Sequence, residues 1–187
     1  VTMELWSEGE MVSQNVTDAD GMACFHGLVL NTYTVVEVPS EGWYSDQPLS
    51  KELILDRSGE SVSWTFTNIR YGEIIVHKYE DLNGNGAHDQ GEPGIPGVPI
   101  GIFDAEMDPV DSGETDEAGE YRSRPLELGV YRVEETVPEG WYSEQGTREV
   151  TIDRSGEMEE VTFLNIRYGE IRVFKEEKDE GPVPGVT

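Results

Sequence analysis

Two sets of residues in the chain have types and spacing that could form an amide cross-link between side chains. In each set a lysine, an asparagine and a glutamate fall in the apolar phase of an alternating pattern, where the side chains of a strand face the core. The sets are Lys78, Asn165 and Glu135, and Lys175, Asn68 and Glu37. Burying an amine, an amide and a carboxyl costs free energy unless they satisfy one another, so we expect each set to meet.

The chemistry of such a set follows from removing a lysine from water. The buried amine loses its preference for the charged form and becomes a nucleophile. An adjacent asparagine carboxamide can accept its attack, while a protonated glutamate polarises the carbonyl and carries protons to the departing ammonia. We therefore predict an isopeptide bond from Lys78 to Asn165 assisted by Glu135.

The second set would react in the same way, joining two repeats or two chains through Lys175 and Asn68, with Glu37 as the proton carrier. There is an alternative interpretation of both sets. The lysines would lie at strand ends with their amines in solvent, and the asparagines would cap turns.

A further motif, DLNGNGAHDQGE at residues 81–92, has the spacing of an EF-hand calcium loop. Alternating apolar residues precede it and PGIPG follows, so we expect this loop to connect strands rather than helices. One calcium ion is predicted for the chain, and an acidic turn without metal is the alternative. The predicted ligands, with Ala87 acting through its carbonyl, are Asp81, Asn83, Asn85, Ala87, Asp89 and Glu92.

The segment NIRYGEI occurs at residues 68–74 and again at 165–171, which divides the chain into copies of one domain. Short alternating runs of β-branched and aromatic residues, separated by turn residues, predict an all-β fold of tandem immunoglobulin-like sandwiches. We expect residues 1–71 to form a β-sandwich that lacks its first strand, and residues 72–168 a complete β-sandwich with the calcium loop. Residues 169–187 would be the first strand of a following domain.

The tail GEIRVFKEE, from Gly169, repeats the opening GEIIVHKYE of the second copy, from Gly72. We expect no strand before Val1 to fill that position in the first copy. A sandwich without its first strand exposes its edge and core, which favours completion by a strand from a neighbouring repeat or subunit. Such head-to-tail contacts do not close and build a filament. The sequence allows both a continuous tandem array and subunits that exchange strands.

Composition excludes several classes of partner. With 39 acidic and 13 basic residues the formal charge is −26, which repels nucleic acid and anionic membranes. No apolar stretch is long enough for membrane insertion. The single Cys24 cannot form an intrachain disulfide and is predicted to be a packing residue. His26, His77 and His88 form no ligand or triad pattern, so we expect no enzymatic activity beyond self-catalysed cross-linking.

At these residues the chain resembles the collagen-adhesin B-type and SdrD B-like repeats, which are prealbumin-like β-sandwiches of pilins, adhesin stalks and other bacterial and archaeal surface proteins. Residues 81–100 are similar to the SdrD B-like calcium signature. The segment YRVEETVPEGWY at residues 131–142 resembles the pilin E-box, and Glu135 occupies the place of its isopeptide-promoting glutamate. The lysines and asparagines of both sets fall on the positions of the family's cross-linking residues.

The resemblance implies an extracellular, cell-surface location and a structural role in a stalk, pilus-like fibre or filament, with neighbouring copies as partners. The alternative is an adhesin module that binds a host or glycan ligand through its loops. The aromatic residues that would contact such a ligand are Trp43, Tyr44, Trp141 and Tyr142.

Overall fold

The computed structural model describes residues 1–177 and 181–182, and all of its regular secondary structure is β-strand. The all-β prediction is therefore confirmed. No helix in the described residues is long and apolar enough to cross a membrane. The strands of the N-terminal half are β1 (Thr2–Ser7), β2 (Glu10–Val16), β3 (Asn31–Val38), β4 (Trp43–Tyr44), β5 (Ser50–Leu55) and β6 (Ile69–Arg70).

The C-terminal half contains the longest strand and the main hydrophobic core. Its strands are β7 (Glu73–Glu80), β8 (Pro99–Phe103), β9 (Pro109–Glu114), β10 (Glu120–Arg122), β11 (Gly129–Glu135), β12 (Trp141–Tyr142), β13 (Thr147–Ile152) and β14 (Met158–Arg167). Two short strands, β15 (Glu176–Glu177) and β16 (Gly181–Pro182), pair in antiparallel fashion after β14.

Two four-stranded sheets form a sandwich in the C-terminal half, with strand orders β10-β7-β14-β12 and β13-β11-β8-β9. Strands β7 and β14, the first and last long strands, pair in parallel, and the other pairs are antiparallel. Alternate residues of each strand point between the sheets because side chains alternate along a strand. The core between the sheets includes Ile74, Val76, Ile100, Ile102, Tyr131, Val133, Val150, Ile152, Val161 and Phe163.

The N-terminal half repeats one of these sheets and only part of the other. The sheet β2-β1-β3-β5 has the antiparallel order of β9-β8-β11-β13. The counterpart of the other sheet is reduced to the pair β4-β6. No segment of this half takes the place of β7, which lies between β10 and β14 in the C-terminal half.

The missing strand explains two predictions that the structure corrects. The alternation of Trp64, Phe66 and Asn68 in the sequence predicts an inward-facing strand, but residues 61–68 form no strand. The corresponding residues 158–165 are a strand because β7 supplies their hydrogen-bond partners. We likewise expected a strand through Ile171, Val173 and Lys175, but residues 171–175 are exposed and outside any strand. The remainder of the predicted 169–187 strand lies partly outside the described residues.

Candidate functional site

Three strands bring the first predicted set together in the core of the C-terminal half. Lys78 lies on β7 and Asn165 on the neighbouring β14, while Glu135 lies at the end of β11 in the opposite sheet. Lys78 and Asn165 are 0% exposed and Glu135 is 8% exposed. All three side chains occupy the inward phase of their strands, as the alternating pattern predicts.

The Glu135 carboxylate is the centre of this cluster. Its Oε2 lies 2.8 Å from Lys78 Nζ and accepts a hydrogen bond of 3.2 Å from Asn165 Nδ2. Its Oε1 accepts a 2.7 Å hydrogen bond from the Ser143 hydroxyl. Neither Lys78 Nζ nor Asn165 Oδ1 has a well-aligned hydrogen-bond partner among the described residues. The cluster therefore holds an amine, a carboxyl and a carboxamide in contact, with two polar atoms unsatisfied.

The electrostatics of the cluster favour a neutral amine. Desolvation by burial is the main cause that lowers the pKa of Lys78 below its ordinary value, and the nearby Arg148 adds to the lowering. The hydrogen bond and the charge of Glu135 oppose it. The Phe163 ring, whose centroid lies 5.9 Å from Nζ, forms part of the apolar surroundings. A lowered pKa raises the fraction of the amine in the neutral, nucleophilic form that amide formation needs.

The second predicted set is only partly assembled. Glu37, on β3, is 3% exposed, and it accepts a 2.5 Å hydrogen bond at Oε1 from Asn68 Nδ2. Glu37 Oε2 and Asn68 Oδ1 are buried and have no hydrogen-bond partner among the described residues. Lys175 is exposed, so the structure brings the glutamate and the asparagine together without the lysine.

The predicted calcium loop follows β7 directly and is closed by its own side chains. Both carboxylate oxygens of Asp81 accept backbone N–H groups, from Gly84 at 2.7 Å and from Gly86 at 2.8 Å. These hydrogen bonds, that of Gly86 most of all, lower the pKa of Asp81. Glu92 reaches back across the loop and accepts the backbone N–H groups of Leu82 and Asp89, each at 2.9 Å.

The loop could hold a hard cation only if its carboxylate oxygens were joined by amide and carbonyl oxygens. No group of three or more His, Cys, Asp or Glu side chains in the described residues is placed to hold a metal by itself. The amides of Asn83 and Asn85 both donate to Asp89 Oδ2, at 2.8 and 2.7 Å. Asp81 and Glu92 are buried, and neither has an ion-pair partner in the described part of the chain. Amide and carbonyl oxygens would have to complete the ligand set, and the calcium site stays a prediction.

The sequence did not reveal two residues that influence the cluster, one by a hydrogen bond and one by its charge. Ser143 binds Glu135, and its signal is the repeated GWYS at residues 42–45 and 140–143. Arg148, from β13, lies 5.4 Å from the Phe163 ring centroid. The prediction that Cys24 is a packing residue is wrong, because the residue is exposed.

The aromatic residues considered for ligand binding are largely engaged within the chain. Arg70 packs over the Trp43 ring at 4.6 Å, and Arg167 packs over the Trp141 ring at 4.5 Å. Tyr44 stacks on Tyr71, with ring centroids 4.8 Å apart. Tyr142 is 44% exposed, and the four residues do not form one open aromatic surface.

The sandwich, the buried cluster and the acidic loop together define a β-sandwich repeat module. The family model described as SdrD B-like domain matches residues 72–170, more than half of the chain. The chain belongs to the SdrD B-like domain family. The recognition made from the sequence is confirmed by this match.

Two relatives are similar to most of this chain. Serine-aspartate repeat-containing protein D of Staphylococcus aureus is 32% identical over 155 residues, covering 75% of this chain and 12% of that protein. Serine-aspartate repeat-containing protein F of Staphylococcus epidermidis is 27% identical over 163 residues, covering 79% and 9%. The chain thus spans about an eighth or less of the length of these relatives.

Two solved structures illustrate the looser likenesses in fold. The Bacillus anthracis TIE protein is 23% identical, with a TM-score of 0.47, and the match covers 89% of this chain and 30% of that one. The minor pilin of Streptococcus agalactiae is 17% identical, with a TM-score of 0.44, and the match covers 94% and 86%. Both TM-scores are below 0.5, so neither likeness defines a shared overall arrangement.

Proposed function

We propose that the chain is a structural module of an extracellular cell-surface stalk, pilus-like fibre or filament, stabilised by side-chain amide bonds and by calcium. The observation that carries this proposal is the complete burial of Lys78 between Glu135 and Asn165. The surface location rests on the family resemblance. The described residues supply no observation that favours the adhesin alternative.

Before the amide bond forms, burial of the cluster costs free energy. An ammonium or a carboxylate removed from water loses several kcal/mol of hydration free energy even when paired. Condensation converts the amine and the carboxamide into one neutral secondary amide, whose N–H and carbonyl can both bond to a protonated Glu135. The product therefore satisfies Asn165 Oδ1, which has no hydrogen-bond partner among the described residues in the unreacted arrangement.

The reaction balances within the cluster. The Lys78 amine attacks the Asn165 carboxamide carbon, the new Nζ–Cγ bond forms, and the Cγ–Nδ2 bond breaks. A half-turn of the carboxamide places Oδ1 at the Glu135 proton and Nδ2 toward the amine. Glu135 then transfers a proton from the attacking nitrogen to the leaving one, and ammonia departs. The fold itself provides the proximity that such a reaction needs.

Calcium has a structural role in this proposal. Asp81, Asp89 and Glu92 would provide carboxylate oxygens, and Asn83, Asn85 and Ala87 would provide neutral ones. The asparagine amides that now donate to Asp89 would turn to present their oxygens. The loop adjoins the cluster, because the Asp81 N–H donates to the Asn165 carbonyl at 2.9 Å. A bound cation would thereby stiffen the end of β7 next to Lys78.

The N-terminal half fits the same scheme as a second sandwich unit. We infer that a strand from a neighbouring repeat or subunit completes it, because the sheet that would contain that strand is reduced to β4 and β6. Repetition of this contact would build a fibre in which each unit is joined to the next.

Whole-protein mass spectrometry tests the chemistry. In a Lys175→Ala background, which leaves one set able to react, we expect the chain to be one ammonia lighter than its sequence requires. Lys78→Met should restore the full mass. Asn165→Asp is the matched control, because its carboxyl can condense with the same amine and release water instead. A full mass in the Lys175→Ala chain, together with no branched Lys78–Asn165 peptide after proteolysis, would refute the bond.

A further inference from the structure

An open strand position exists in the N-terminal half. In the C-terminal half, β7 pairs with β10 on one side and with β14 on the other. The residues that correspond to β10 and to the part of β14 that pairs with β7 are 22–24 and 61–68 in the first copy, and neither segment lies in a strand. We call the position between these two segments the acceptor slot.

The walls of the acceptor slot are less buried than the same positions in the complete copy. Trp64 is 52% exposed, whereas Val161, at its place in the second copy, is 5% exposed. Leu53 and Leu55 of β5 are half-buried, whereas Val150 and Ile152 are buried in the core. Apolar side chains that should form a core are thus open to water, which favours the arrival of a strand that covers them.

The polar end of the acceptor slot specifies one chemical group. Glu37 Oε2 and Asn68 Oδ1 are buried acceptors without a donor among the described residues. In the complete copy, the equivalent Glu135 Oε2 faces the Lys78 amine at 2.8 Å. The slot therefore fits a strand that carries an amine at the position of Lys78.

The tail of this chain carries the residue pattern of such a strand. Residues 170–175 read EIRVFK, where β7 reads EIIVHK over residues 73–78. Ile171 is 92% exposed, Val173 87% and Phe174 82%. Ile171 and Val173 have the apolar alternation of a core strand but pack into no core among the described residues, while Lys175 has the spacing of the missing amine.

We propose that residues 169–175 of a second copy of this chain enter the acceptor slot as a strand and that the Lys175 amine condenses with Asn68. The inserted strand runs parallel to residues 61–68 and antiparallel to residues 22–24. The Nζ–Cγ bond forms, the Cγ–Nδ2 bond of Asn68 breaks, and ammonia leaves with protons carried by Glu37. The covalent step rests on the proposed function, because it is the chemistry assigned there to Lys78.

The complete copy fixes the register of the inserted strand. Ile75 lies opposite Arg122, and Val76 lies opposite both Tyr121 and Val161. The repeat places Arg172 at the position of Ile75 and Cys24 at the position of Arg122. Arg172 of the second copy should therefore lie directly opposite the exposed Cys24, at the spacing of an antiparallel pair that a disulfide can span.

A complementation experiment tests the covalent step with the 187-residue chain. After incubation at high protein concentration and boiling in detergent, we expect the unmodified chain to give a ladder of multiples on a denaturing gel. Lys175→Ala and Asn68→Ala should each give monomer alone. A mixture of the two variants should give a covalent dimer and no higher species, because one supplies only a slot and the other only a tail. Any higher multiples in the mixture would overturn the assignment of these residues.

A cysteine experiment tests the docking without the bond. In a Lys175→Ala background, Arg172→Cys should form reducible multimers through Cys24, and the same chain with Cys24→Ser should not. Val173→Cys is the matched control, because residue 173 would face the core and should not pair with Cys24. A disulfide within one monomer would overturn the assignment to a second copy, and monomer alone would overturn insertion itself.

The outcomes separate this inference from the proposed function. A Lys78→Met chain should still form the ladder, because its acceptor slot and tail are unchanged. Loss of ammonia at Lys78 without any ladder or disulfide multimer would refute strand insertion alone. Reducible multimers without loss of ammonia at either site would support the docking and refute the amide chemistry.

Discussion

Replacing Glu135 by glutamine should prevent the Lys78–Asn165 bond while preserving the shape of the cluster. Glutamine has nearly the same volume as glutamate but cannot carry protons between the two nitrogens. Its amide can still accept the Ser143 hydroxyl, which bonds to Glu135 Oε1 at 2.7 Å. We therefore expect a folded Glu135→Gln chain that retains its full mass, measured by intact mass spectrometry in the Lys175→Ala background.

The loss of stability can be estimated from the chain segment that the bond encloses. A cross-link that closes a loop of about 90 residues reduces the entropy of the unfolded chain by an amount worth roughly 4–5 kcal/mol. For a domain near 100 residues, each kcal/mol changes the melting temperature by about 4–8 °C. The Glu135→Gln chain should thus melt roughly 20 °C or more below its parent, as measured by calorimetry or by circular dichroism.

A matched pair of variants separates the bond from the local contacts of Glu135. In an Asn165→Ala background no bond can form, so adding Glu135→Gln should cost only the local contact with the Lys78 amine, about 1.5–3 kcal/mol as for a hydrogen bond to a charged group. Equal losses in the two backgrounds would refute the cross-link as the source of stability. Loss of ammonia from the Glu135→Gln chain would refute the role of the glutamate.

Three other predictions concern calcium, backbone packing and pH. Saturating calcium, at about a hundred times its dissociation constant, should stabilise the chain by about 2.7 kcal/mol in thermal unfolding. Glu92→Gln should weaken this stabilisation. Glu117→Gln, at an exposed residue outside the loop, is the control and should not weaken it. Gly94→Ala should cost more than about 3 kcal/mol in chemical unfolding, because its Cβ would lie 1.9 Å from the Ala118 carbonyl oxygen. Gly97→Ala, which has open space but a φ of +70°, should cost only about 1 kcal/mol. In an Asn165→Ala chain the Lys78 amine stays free, and burial holds its folded pKa below the ordinary value of 10.5. The free energy of unfolding of this chain should therefore rise as pH increases through the lowered pKa and level off above 10.5. Adding Lys78→Met should remove that rise.

The sequence predicts well which side chains of a strand face the core, wherever the partner strands are present in the chain. The alternations through Lys78, Glu135 and Asn165 place all three residues inward, and the structure brings them together. Alternation is a local property, so the amino-acid order alone carries it. The repeat likewise predicts that Glu37 and Asn68 are neighbours, and their side chains are hydrogen bonded.

The two failed strand predictions share one physical cause. The alternation through Trp64 and Phe66 is as regular as that of the second copy, but a strand also needs a hydrogen-bonding neighbour. The described part of the chain places none beside residues 61–68. Cys24 is exposed for a different reason, because it takes the place of Arg122, which is exposed even in the complete copy. The sequence pattern records the face that a side chain would take in a sheet, whereas pairing depends on which segments are available.

The contact between Glu135 and Ser143 was also beyond sequence reasoning. The hydroxyl reaches the carboxylate across a tight turn that carries Gly140 in a left-handed conformation, with a φ of +85°. In the first copy the equivalent Ser45 instead donates to the Thr67 carbonyl, at 3.0 Å. The same four residues, GWYS, thus make different contacts in the two copies.

The parallel pairing of β7 and β14 has a mechanical consequence. Because the first and last long strands run in the same direction, the polypeptide enters the sandwich at one end and leaves at the other. A tensile load on the two termini would slide these strands lengthwise against each other, so that all the hydrogen bonds between them resist together. Antiparallel terminal strands would instead unzip one bond at a time, which makes the arrangement seen here the more resistant to being drawn out.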